Sequence, residues 1–119
     1  MPTYRVPKQV QDIAQRAIEQ NLSRSLSSRA AYKIDDDGKK VPGTGMRTAR
    51  RLVSGRVDEK QLILMRAWFA RHGASDMERK KRKDKTSKAS IAWRLWGGSG
   101  AISWINSTLR EIEKKRKLK

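Results

Sequence analysis

The sequence predicts an all-α fold, a small compact bundle of about five helices with a basic loop and a frayed basic C-terminus. Three observations carry this expectation. Apolar residues recur at spacings of three and four along most of the chain, the period of one helix face. No segment alternates as a half-buried strand does. The breaks between periodic stretches fall at glycine, proline and serine clusters, where helices end. The 119 residues suffice for one domain with its own core. Residues 1–119 divide into an N-terminal helix at 6–31, a loop at 32–45 and a helical core at 46–119 that contains a basic loop at 74–87.

In chain order, Pro7 opens a helix whose apolar face is Val10, Ile13, Ala14, Ala17, Ile18, Leu22 and Leu26. Its outer face, Gln11, Asp12, Gln15, Arg16, Glu19 and Gln20, reads as ordinary solvated surface, and Ser23 to Ser28 should fray it. Asp35-Asp36-Asp37-Gly38 and Pro42-Gly43 then mark turns. The three aspartates lack the alternating ligand positions and closing glutamate of a calcium loop, so no metal site is expected there. Met46 to Val53 forms a short helix with Met46, Ala49, Leu52 and Val53 inward and Arg47, Arg50 and Arg51 outward. Ser54-Gly55-Arg56 ends it. Asp58, with Gln61 three residues on, starts the next helix, which buries Leu62, Met65, Trp68 and Phe69 and closes at His72-Gly73.

Residues 74–87 are too charged to pack. Arg79, Lys80, Lys81, Arg82, Lys83 and Lys85 are expected on a mobile phosphate-binding arm, removable without loss of stability. A further helix, Lys88 to Trp96, stops at Gly97-Gly98, because paired glycines fit the left-handed backbone that ends a helix. The chain restarts after Ser99, and Trp93, Trp96 and Trp104 serve as structural anchors at this corner. The last helix buries Ile102, Ile105, Leu109 and Ile112 before a basic tail, Lys114 to Lys119, frays.

Charge carries the functional signal. With 29 Lys and Arg against 12 Asp and Glu, the net charge is +17, which implies a polyanionic partner or a charged assembly interface. The expected nucleic-acid contacts are Arg47, Arg50, Arg51, Arg56, Arg79, Lys80, Lys81, Arg82, Lys83, Lys85, Lys114, Lys115, Arg116 and Lys117. DNA is expected before RNA, with little sequence information in point charges that lack paired Asn or Gln readers. A helix-turn-helix reading of 46–71 is disfavoured, because Asp58 and Glu59 would stand where a recognition helix meets DNA. The alternative is a virion structural protein docking its positive face on an acidic capsid surface.

Other chemistries lack their residues. There is no cysteine, which removes disulfides, zinc knuckles and thiol catalysis. Gly43-Thr44-Gly45-Met46 does not continue as a phosphate-binding P-loop, and Ser99 misses the nucleophile-elbow pattern. The lone His72 has no second ligand beside it. No catalytic residue, metal or cofactor is expected, and no apolar run reaches the roughly 20 residues of a membrane span.

Three stretches in order, Thr48-Ala49-Arg50-Arg51-Leu52-Val53-Ser54-Gly55, Met65-Arg66-Ala67-Trp68-Phe69-Ala70-Arg71-His72, and Ile91-Ala92-Trp93-Arg94-Leu95-Trp96-Gly97-Gly98 with Ser103-Trp104, carry a resemblance. Together they resemble a helical module of tailed-bacteriophage and prophage proteins, often appended to head-morphogenesis proteins such as maturation proteases. The resemblance spans roughly residues 41–105 and implies the cytoplasm of an infected bacterial host or a virion, with capsid or other phage structural proteins as possible partners. Ser99 stands where that pattern usually has aspartate, a possible exchange of one helix cap for another. The resemblance supplies a scaffold and no catalytic residue.

Overall fold

The computed structural model describes residues 2–118; Lys119, the last residue of the expected tail, lies outside them. The chain order is β1 (Thr3–Arg5), α1 (Lys8–Leu22), a 3-10 turn (Leu26–Ser28), β2 (Tyr32–Ile34), β3 (Lys40–Pro42), α2 (Thr44–Val53), β4 (Arg56–Asp58), α3 (Glu59–Gly73), α4 (Asp76–Arg82), α5 (Lys88–Leu95) and α6 (Gly100–Lys117). The fold is mostly helical, but it is not all-α: two short antiparallel sheets join the helices.

β1 pairs with β4 in the register Thr3↔Asp58, Tyr4↔Val57 and Arg5↔Arg56, and the Val6 amide continues the ribbon by donating to the Gly55 carbonyl at 2.8 Å. Val6, fully buried, anchors the ribbon in the core. β2 and β3 make a hairpin inside the segment expected to be loop, with Lys33 opposite Val41. Its turn uses Asp35 as the sequence suggests: Oδ1 accepts from the amides of Asp37 and Lys39, and Gly38 supplies a positive φ.

The first helix ends nine residues before the expected 31, and Asn21 explains why. Its side chain is completely buried, donating to the Ala30 carbonyl at 3.0 Å and accepting from the Ala30 amide at 2.9 Å. This clasp folds the chain back, so Leu22 and Leu26, expected inward, stand 42% and 47% exposed. Asn21→Leu would leave both Ala30 groups without partners and is expected to lower stability by about 2–4 kcal/mol. Urea denaturation would report it, and an unchanged midpoint would refute this account.

α1 packs against α2 and α5, α3 against α6, and α4 against α5. The core between them includes Met46, Leu52, Leu62, Met65, Ile91, Leu95 and Ile105, all inaccessible or nearly so. The expected inward faces of α2, α3 and α6 hold at Met46, Ala49, Leu52, Leu62, Met65, Phe69, Ile105, Leu109 and Ile112. α3 starts as predicted, with Asp58 Oδ1 accepting from the Gln61 amide at 2.8 Å. Its end differs: the helix runs through Gly73, and Ala74 caps it in a right-handed conformation.

At the glycine corner Gly97 and Gly98 hold φ of 109° and 75°. Their amides donate to the carbonyls of Arg94 and Trp93, a Schellman closure of α5. Trp96 is buried and stacks on Trp68, centroids 4.6 Å and planes 10° apart, while Trp93 meets Phe69 edge-on at 4.8 Å. Ser99 does not cap α6 with its side chain; its hydroxyl accepts the Trp93 indole N–H at 2.9 Å, so the cap-for-cap exchange is not what this position does.

Two further expectations are corrected. The basic segment 74–87, expected as a mobile loop, contains a helix, α4. The tail does not fray after Ile112: α6 continues to Lys117, where Arg116 grips Glu59 through two bonds at 2.6 and 3.1 Å. Among the described residues no helix is long and apolar enough to cross a membrane.

Candidate nucleic-acid interface

The sequence-predicted cations occupy α2, β4, α4 with the turn after it, and α6. Arg47, Arg50 and Arg51 stand exposed on α2, because Met46, Ala49 and Leu52 take the opposite face into the core. Arg56 follows on β4, directly across the ribbon from Arg5. Like charges at that spacing repel, so this edge holds a concentrated positive field. Three of these guanidiniums, those of Arg47, Arg51 and Arg56, are oriented by neutral acceptors. Arg47 donates to the Thr44 hydroxyl at 3.1 Å, Arg51 to Gln61 Oε1 at 2.6 Å, and Arg56 to the Thr3 hydroxyl and carbonyl at 2.8 and 3.0 Å. Gln61 is itself buried and fixed by its donation to Thr48 at 3.3 Å.

α4 forms because Ser75 accepts from the Glu78 amide and Asp76 and Glu78 occupy its first turn, both favourable at a helix N-terminus. Glu78 then reaches His72 Nδ1 at 2.9 Å, tying α4 to the end of α3. Arg82 lies over the Trp93 ring, 3.9 Å from its centroid, and donates to the His72 carbonyl at 3.3 Å. The following turn is clamped from α1, the stretch just after it, and α5: the Lys85 carbonyl accepts from Gln20 and Arg94, and the Thr86 carbonyl from Arg24. Asp84 is held below the ordinary carboxylate range by hydrogen bonds from the Thr86 hydroxyl and amide. Thus Arg79, Lys80, Lys81, Lys83 and Lys85 are exposed on an ordered backbone, and Arg82 is half-buried.

The C-terminal cations are partly spent. Lys114 pairs with Glu111, Lys117 with Glu113, and Arg116 with Glu59; Lys115 has no such partner among the described residues. The Arg116 bond holds the Glu59 carboxylate below its ordinary range. Arg79 pairs with Asp76. For Arg47, Arg50, Arg51, Arg56, Lys80, Lys81, Arg82, Lys83 and Lys85 no carboxylate lies within salt-bridge distance among the described residues.

The structure adds two cations the sequence reading did not select. Arg94, on α5, and Arg16, on α1, line one groove of about 510 Å³ together with Arg82 and Lys85. Arg94 donates to Gln20 Oε1 at 2.6 Å, the Lys85 carbonyl at 2.7 Å and the Ser90 hydroxyl at 3.3 Å, and its buried Nε has no partner. Burial pulls its pKa below the ordinary arginine value. The one legible sign was an arginine standing inside the most tryptophan-rich stretch of the chain. Among the described residues no three His, Cys, Asp or Glu side chains gather as a metal site. No protein-family model, curated protein or solved structure matches the chain.

Proposed function

We propose that this is a small basic protein of phage type that binds nucleic acid, DNA before RNA, through phosphate contacts with little sequence specificity. The observation that carries the reading is the way its arginines are held. Thr44, Gln61, Thr3, backbone carbonyls and the Trp93 ring orient them, while carboxylates neutralise few of them. Oriented but uncompensated cations attract a polyanion and make short charge-assisted bonds to its oxygens. The exposed faces of α2 and α4 present arginine and lysine without Asn or Gln, the residue types that read adenine edges. Asp58 and Glu59 stand at the start of α3, the end a recognition helix presents to base edges, which supports phosphate clamping over base readout. The setting, an infected bacterial cell or a virion, rests on the resemblance of the Trp93–Trp104 motif and its companions alone.

Anisotropy titrations of a random duplex at two salt concentrations test the proposal. Tight binding at low salt is expected, falling with a log–log slope of roughly 0.9 per phosphate contact, and an unrelated duplex should compete equally. A duplex that resists such competition would sink the non-specific reading. No binding at low salt would sink nucleic-acid binding altogether and leave docking on an acidic capsid surface.

A further inference from the structure

The groove between α1, the turn after α4, and α5 differs in kind from the exposed ridges. Four cations line it, Arg16, Arg82, Lys85 and Arg94, and no carboxylate does. The comparably sized cleft beside β4 contains Arg51, Arg56 and Lys60 but also Asp58, which offsets part of their field. None of the four groove cations belongs to an ion pair among the described residues. Withdrawing part of a guanidinium from water without a counter-charge is unfavourable, yet half-buried Arg94 is held so, its Nε buried without a partner. Its acceptor at 2.6 Å is the amide of Gln20, where a carboxylate would have completed an ion pair. Gln20 supplies direction and leaves the charge available. One Nη1 hydrogen and the Nε hydrogen remain without an acceptor. Arg82 repeats the arrangement, held by an indole face and a carbonyl. The groove volume falls in the range of small-ligand clefts.

We propose that this groove is a built phosphate site, in which Arg94 and Arg82 act as fixed forks, and Arg16 and Lys85 as exposed flanking charges, around one phosphate group of the bound nucleic acid. The assignment rests on the nucleic-acid reading above. A phosphate suits the site better than a carboxylate, because its several oxygens can meet cations arriving from α1, α4 and α5 at once. The remaining cations make interchangeable contacts, whereas this one fixes where the backbone sits.

The test uses the isotope-labelled full chain, following the Trp93 indole N–H, which bonds Ser99 at the groove wall, and the Arg94 Nε–H. Titration with inorganic phosphate against chloride at equal ionic strength should give saturable shifts at these two signals with phosphate only. Arg16→Gln with Lys85→Gln removes two exposed charges whose side chains make no hydrogen bond or ion pair among the described residues, and should weaken phosphate uptake about tenfold or more. The control Lys33→Gln with Lys39→Gln, equal in charge loss and placed on the hairpin, should leave it unchanged. A short oligonucleotide should displace the phosphate. Phosphate shifts spread evenly over the surface, or equal weakening by the control, would overturn the site. Full duplex affinity and salt slope in the Arg16→Gln, Lys85→Gln variant would overturn it while leaving general nucleic-acid binding intact. Saturable phosphate uptake with no oligonucleotide or duplex binding would overturn the assignment to nucleic acid and point to a free phosphate-bearing ligand.

Discussion

Gly97→Val is expected to lower stability by about 3 kcal/mol or more, and the melting temperature by roughly 10 °C or more. Two costs combine at this residue. Its φ of 109° is one that side chains rarely adopt, and a Cβ there would stand 2.8 Å from the Cβ of Ala101 and 3.0 Å from Val10 Cγ1. Both neighbours are buried and have nowhere to move. Gly98 shares the left-handed backbone, at 75°, but a Cβ there would meet Ile13 Cγ2 at 3.4 Å, an ordinary contact. Gly98→Ala should therefore cost only the backbone strain, about 1–3 kcal/mol. Thermal melting followed by tryptophan fluorescence ranks the two; a Gly97 variant no less stable than the Gly98 variant would contradict this packing.

Replacing Lys80, Lys81 and Lys83 together by glutamine is expected to produce the largest loss of duplex affinity among exposed charges. It should reduce the salt slope by roughly 0.9 for each of the three that contacts phosphate. Stability should stay within about 0.5 kcal/mol, since all three side chains are exposed and make no ion pair among the described residues. Arg82→Gln is different, because Arg82 rests on Trp93 and bonds the end of α3. That variant should lose roughly 0.5–2 kcal/mol of stability as well as affinity. Arg82 and the three lysines beside it are thus expected to behave differently, contrary to a reading of the run as solvated loop. An unchanged slope in the triple variant would make Lys80, Lys81 and Lys83 bystanders.

What the sequence disclosed was chemistry that acts locally. Gly97-Gly98 announced a helix stop through backbone freedom, and Asp58 with Gln61 announced a start through capping. The inward residues of α2, α3 and α6 announced themselves by period. The strands escaped because three residues show no alternation to read, and β1 finds its partner β4 more than fifty positions away. Leu22 and Leu26 extended the helical period past Asn21, and only the folded chain shows that buried amide turning the backbone at Ala30. α4 was hidden by its charge, although Ser75 and Glu78 carry the spacing of a capping box. The candidate site divides likewise: the ridge on α2 was visible because its arginines are neighbours on one helix. The groove was not, because it unites Arg16 with Arg94 across most of the chain.

The clamped turn after α4 has a thermodynamic consequence. A basic segment that is disordered when free must surrender its conformational entropy at the moment of association, which weakens binding for a given number of contacts. Here Ser75, Glu78, Gln20, Arg24 and Arg94 have already imposed that order on the backbone from 75 to 86 during folding. The lysines of this segment keep only their side-chain freedom to lose, so each contact they make retains more of its electrostatic gain than the same lysine would on a loose tail.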